Sequence, residues 1–207
     1  MRRKRKPDSR RAAEELHQLL KASGINGPFI LVGHSLGGLN MQVFADMYQD
    51  DVAGAVLLDP PPLDWLNGKS FPKLRELFFE QSRKFSSAAE AARSSADPEE
   101  KKRARFFEMV ASESAELMGR SAEQAVSIQS FGDLPLTVIA STRPNPLFGD
   151  SAEAYQRFWI EQSESLAKKS TRGRFIRAEG SRHHIHLDTP QLVLDAIREA
   201  VRAKSRT

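Results

Sequence analysis

PFILVGHSLGG, residues 28–38, is the stretch whose reading decides the fold. It opens as a short continuous apolar run, the pattern of a parallel strand covered on both faces. It ends in Gly33, His34, Ser35, Leu36, Gly37 and Gly38, a G-x-S-x-G pattern followed at once by helical spacing through Leu39, Val43 and Met47. A strand that turns straight into a helix strains the central residue and pushes its side chain out above the sheet edge. Ser35 is therefore the candidate nucleophile. Gly33 and Gly37 are expected to remove Cβ atoms that would clash around the turn, and Gly38 to let the helix approach the neighbouring strand. The Leu36 N–H, at the positive end of the new helix, is the candidate oxyanion donor. His34 is expected to pack beside the site rather than act in it. An incidental glycine-rich turn is the alternative, and the strand before and helix after it argue against that.

The rest of the chain repeats the cadence on both sides. VAGAVLLD (52–59), LPLTVIAS (134–141) and the weaker GRFIRAE (173–179) read as further strands. Helical spacing is carried by Ala12, Leu16, Leu19 and Leu20 after Ser9, a candidate N-cap, with Gly24 as the stop. It recurs over residues 151–169 and again from Pro190 through Val193, Ala196, Ile197 and Ala200. Strands alternating with helices predict an α/β fold, a mostly parallel sheet flanked by helices. Three regions follow: a basic tail at 1–8, a core from 9–59 and 132–207, and an insertion at 60–131. That insertion opens on Pro60, Pro61 and Pro62 and continues as charged, alanine-rich helical sequence, read as a cap over the strand ends or as a plain helical extension.

Composition narrows the partners. The 207 residues are 40% hydrophobic and 28% charged, which is globular. With no cysteine, a disulfide scaffold, a thiolate metal site and a cysteine nucleophile are all excluded. The net charge is +4, but residues 1–11 alone carry +6, so the remaining body is slightly acidic. Nucleic acid is therefore not an expected partner, since a binding domain would carry its basic surface on the folded body. The RRKRK run reads as a solvated arm, with a localisation signal or a phosphate-seeking arm as the alternatives. No apolar stretch is long enough to span a bilayer, and none follows the arginine pair as a secretory signal would, so the expected location is the cytoplasm.

A serine hydroxyl needs a base. His17 lies in the first helix, where it reads as an ordinary surface residue. His183, His184 and His186 fall in SRHHIHLDTP (181–190), between the last strand and the last helix. In a parallel sheet that loop opens on the same edge as the Ser35 turn. Three close histidines also suggest a metal, but no carboxylate-bearing cluster completes a ligand set, so none is expected, and no cofactor either.

These features together resemble the α/β-hydrolase family, through GHSLGG (33–38), LLDP (57–60) and SRHHIHLDTPQLV (181–193), over about residues 9–203. The resemblance implies a Ser-His-Asp hydrolase acting through an acyl-enzyme on an ester or related acyl substrate. It assigns His183 as the base, with Arg182 where relatives carry glycine, and makes His186 and Asp188 structural. For the acid it leaves two residues open: Asp59, at the end of the strand after the turn, and Asp150, ten residues beyond the next strand. The shorter distance ranks Asp59 first. A serine at the turn argues against the haloalkane and epoxide branches, which use aspartate there.

The resemblance also predicts an N-terminally incomplete fold, because relatives place several strands before the one at 28–33. An unpaired edge at 29–32 is then expected to invite self-association. The competing reading is an impaired hydrolase-fold chain that acts by binding. One missing oxyanion donor costs on the order of 100- to 1,000-fold in rate. Purified residues 1–207 are accordingly expected to turn over esters far more slowly than a full-length relative, and comparable turnover in a side-by-side ester assay would contradict this.

Overall fold

The computed structural model describes residues 8–63, 72–117 and 119–204, so the basic run at 2–6 and part of the expected insertion lie outside the described residues. The described chain runs α1 (Ser9–Ala22), β1 (Phe29–His34), α2 (Leu36–Met47), a 3-10 turn (Gln49–Asp51) and β2 (Val52–Leu58). It continues with α3 (Pro72–Ser94), α4 (Pro98–Glu116), α5 (Arg120–Ser127), β3 (Leu136–Ser141), a 3-10 segment (Pro146–Ser151), α6 (Ala152–Ala167) and β4 (Gly173–Ala178). Two helices close it, α7 (Ile185–Asp188) and α8 (Pro190–Lys204). All four strands fall where the sequence places them, within two residues; the single turn of α7 is an addition that its four residues are too few to announce.

The strands form one parallel sheet in the order β1-β2-β3-β4. β2 and β3 are buried at residues of both parities, Val56 and Leu58 as well as Ala55 and Leu57, which requires cover on both faces. Val56, Leu58, Ile139 and Ala178 share a core with Val193, Ala196 and Ala200 of α8. Each of the valine, leucine and isoleucine side chains among them stabilises by about 1.5–3 kcal/mol when removed from water. α2 lies against β1 and β2, and α6 against β3 and β4. Along the outer edge of β1 no strand pairs among the described residues, and Val32 on it is 41% exposed. No described helix is long and apolar enough to cross a membrane.

The chain divides into two compact units, one holding the sheet (residues 9–63 and 124–204) and one within 64–123. The second is narrower than the insertion read from sequence: Pro60, Pro61 and Pro62 are buried in the sheet unit. Within the smaller unit α3 and α4 pack as a helical hairpin, with Ala89, Ala92, Ala104 and Ala111 buried where small side chains let the axes approach. Ser82 Oγ donates to the Ala111 carbonyl at 2.8 Å, and Arg93 pairs with Glu108. Asp97 caps α4 by accepting from the Glu99 N–H at 2.9 Å, with Pro98 in the first turn.

Two readings of the first helix are corrected. Ser9 is the first helical residue rather than the cap; fully buried, its hydroxyl donates to Asn40 Oδ1 at 2.6 Å and so ties α1 to α2. Gly24 does stop the helix: at φ +68° it lets the Ile25 N–H reach the Leu20 carbonyl and its own N–H the Lys21 carbonyl. His17 is no surface bystander. Its ring stacks on Tyr48 at 3.8 Å between centroids, and its Nε2 meets Asp51 Oδ2 at 2.7 Å. The helical period put His17 on α1, but only packing against the end of α2 gives it partners. His17→Ala is expected to destabilise the chain by about 1–2 kcal/mol, one hydrogen bond plus one stacked pair, read as a lowered urea midpoint.

Candidate active site

The turn after β1 has the strain its sequence calls for. Ser35 sits at φ 53°, ψ −123°, a region L-residues rarely occupy. Its N–H still donates to the Leu58 carbonyl at 2.9 Å, continuing the ladder to β2, while the Gly38 N–H already bonds the Ser35 carbonyl at 2.8 Å. One residue thus belongs to both elements, which leaves its side chain on neither face. Gly33 is indispensable: a Cβ there would lie 2.4 Å from the Gly37 carbonyl oxygen. Gly38 touches the start of the segment after β2, where a Cβ would meet Pro60 Cβ at 3.1 Å. Gly37 departs from the expectation, because a Cβ on it would meet nothing within 4 Å. Leu36 opens α2, so its N–H belongs to the first turn, whose donors have no partner within the helix.

At the end of β2, Asp59 is buried with φ 46°. Its carboxylate accepts from the Ser141 N–H (2.8 Å, Oδ1), from Ser141 Oγ (3.0 Å, Oδ2) and meets His183 Nδ1 (2.8 Å, Oδ2). A buried charge must be paired and hydrogen-bonded to persist, and this one is. Because a carboxylate only accepts, Nδ1 carries the proton and Nε2 of His183 presents a lone pair. Asp150, the other acid left open by the sequence, lies exposed in the 3-10 segment, and among the described residues no bond joins it to a histidine. Nor, among them, does a hydrogen bond join Ser35 Oγ to His183.

The loop carrying His183 is held from three sides. Thr142 and Arg143 N–H groups bond the Ser181 carbonyl at 3.2 and 3.0 Å, stitching it to the end of β3. Asp188 Oδ2 accepts from the Arg182 N–H at 2.7 Å, and fully buried Ile185 plugs the loop into the core. His34 Nε2 donates to the His183 carbonyl at 2.8 Å, so the residue before Ser35 grips the backbone of the residue that meets Asp59. The His34 ring lies 4.6, 5.4 and 4.9 Å from those of His183, His184 and His186. Burial first, and then the neighbouring His183, lower the His34 pKa to about 4, so its ring is neutral near pH 7. No group of three metal-ligating side chains with metal-binding geometry occurs among the described residues.

Sequence reasoning missed the second layer. Ser141, Gln156 and Trp159 are ordinary in composition, and their role comes from register. Ser141 ends β3, next to the strand that ends at Asp59; Gln156 Nε2 donates to the Ser141 carbonyl at 2.7 Å. Trp159 meets the His183 ring edge-on at 6.0 Å, and Tyr155 lies beside Trp159. Burial, then the Asp59 charge, push the Tyr155 phenol well above its usual range. The one available signal was position: any polar residue at the C-terminal end of a strand beside Asp59 is a candidate partner.

Comparison with known proteins agrees with this fold. The profile of the alpha/beta hydrolase family matches residues 4–196. YqjL of Bacillus subtilis, an uncharacterized protein, is 27% identical over 191 residues, 89% of this chain; the chain spans 61% of YqjL's length. A thermophilic esterase from Thermogutta terrifontis superposes with a TM-score of 0.64 at 20% identity, over 96% of this chain and 73% of the esterase. A carboxylesterase structure from the thaumarchaeon Nitrososphaera gargenis gives 0.61 at 16% identity, over 97% and 74% respectively. At such identities the superpositions speak for the fold.

The lowered pKa of His34 has a measurable sign. Its neutral form is favoured when folded, so the unfolded chain binds more protons between the ordinary value of 6.5 and about 4. The stability it contributes is complete above pH 6.5 and is lost as pH falls toward 4. His34→Gln is expected to flatten the fall of the thermal midpoint across that window, measured by circular dichroism melts.

Proposed function

The chain belongs to the alpha/beta hydrolase family, and we propose that it cleaves an ester or related acyl bond with Ser35 as nucleophile, His183 as base and Asp59 as acid. The observation that carries the reading is the 2.8 Å contact between Asp59 Oδ2 and His183 Nδ1, made at the same sheet edge where the strained Ser35 turn leaves β1. In this reading Ser35 Oγ attacks the acyl carbon and passes its proton to His183 Nε2 as the Oγ–C bond forms. The carbonyl electron pair moves onto oxygen, facing the Leu36 N–H. Asp59 holds the imidazole in the needed tautomer and stabilises its charged form. Collapse expels the leaving oxygen, which takes the proton from Nε2. A water molecule then gives its proton to Nε2 and attacks the acyl-enzyme, releasing the acid and restoring the serine.

Neutral His34 suits this cycle. A second cation beside His183 would oppose formation of the imidazolium, and burial keeps His34 uncharged until well below neutral pH.

The test uses a fluorophosphonate probe, which reports an activated serine without knowledge of the substrate. Labelling is expected in the native chain and lost in Ser35→Ala and His183→Ala. Asp59→Asn is expected to slow it by on the order of 1,000-fold or more, and Asp150→Asn by less than about twofold. Absence of labelling in the native chain, or equal effects of the two aspartates, would sink the assignment; concentration-dependent association without labelling would favour the binding reading instead.

A further inference from the structure

We propose that Ser141 and Gln156 are positioning residues that set the basicity of His183 through Asp59; the inference rests on the reading of His183 as base. Three buried side chains form one directed chain. The Ser141 carbonyl can only accept, so the Gln156 amide must turn its nitrogen toward it, at 2.7 Å. The same NH2 group then reaches Ser141 Oγ at 3.2 Å and donates to it. With a donor already facing its lone pair, the hydroxyl sends its single proton to Asp59 Oδ2, at 3.0 Å. That oxygen is also the one that receives Nδ1–H of His183. The order is Gln156 to Ser141 to Asp59, with His183 closing the chain from the other side.

Two donors on one carboxylate oxygen share its charge. Each weakens the hold of that oxygen on the imidazole proton and lowers the preference for imidazolium. The cost of leaving an amide and a hydroxyl buried is met only if both are bonded, and here both are. All three side chains are over nine-tenths buried, so water does not substitute for them. Other titratable groups around His183 are His34 on β1 and His184 on its own loop, with His186 against the His34 ring and Tyr155 of α6 beside Asp59. The Ser141 hydroxyl stands between Gln156 and Asp59, so Ser141→Ala removes the middle of the relay.

The experiment follows the His183 ring by NMR titration of histidine-labelled full-length chain, assigned with His183→Gln, beside the pH dependence of fluorophosphonate labelling. Ser141→Ala removes one donor from Asp59 Oδ2 and is expected to raise the His183 midpoint by about 0.5–1 pH unit. The acid limb of the labelling rate should move up by the same amount. Ser141→Thr, which keeps the hydroxyl, is expected to restore both. Gln156→Met is expected to move the midpoint the same way by a smaller amount, and serves also if Ser141→Ala folds poorly. Lost stability with an unmoved midpoint in these variants would overturn the relay and leave a packing role. A shifted midpoint in a chain never labelled at any pH would keep the relay while removing Ser35 as nucleophile; labelling with unmoved midpoints would do the reverse.

Discussion

A buried carboxylate that must be neutralised on every side ties this structure together. Asp59 stands at the end of β2 almost without water, and burial of an ionised group is costly unless donors surround it. Those donors come from three parts of the chain far apart in sequence: the strand end at Ser141, the loop at 183 and, one step removed, α6 at Gln156. Satisfying one charge therefore fixes the positions of β3, α6 and the histidine loop relative to β2. Removing the charge would relax that requirement on all three at once.

The strained turn at Ser35 and the constrained acid at Asp59 are neighbours in the same architecture. Both are non-glycine residues with positive φ, both end strands that pair with each other, and the Ser35 N–H bonds the carbonyl just before Asp59. Strain of this kind persists where surrounding structure over-determines it. Here the ladder between β1 and β2 does so, along with the contact of Gly33 with the turn backbone and of Gly38 with Pro60. His34 adds a third tie by gripping the backbone of His183. The histidines are thus divided by task. One faces the carboxylate, one braces it while uncharged, and His17 clamps the first helix to the second far from both.

How much of this could be read in advance differs by residue, for physical reasons. Ser35 was legible because the backbone it needs is written in its immediate neighbours, glycines and all. His183 was legible only as one of three, since spacing alone does not say which ring turns inward; the family resemblance made the choice. Between Asp59 and Asp150 local pattern was nearly silent. The structure separates them by burial: one ends a covered central strand, the other lies on an exposed 3-10 segment. Gly37 was over-read, because a motif position does not reveal whether the space beyond its Cα is filled.

Local patterns along the chain determined what is local in origin: four strands from continuous apolar runs, helices from their period, and the turn at Ser35 from its glycines. Each depends on interactions among residues within a few positions of one another. Only the folded arrangement decided which carboxylate meets the imidazole, that Ser141 and Gln156 stand behind it, and that His17 has partners. Those contacts join residues separated by tens to more than a hundred positions, from 15 between Ser141 and Gln156 to 124 between Asp59 and His183. Register and packing make such contacts, and neither leaves a mark on the sequence near the residues it joins.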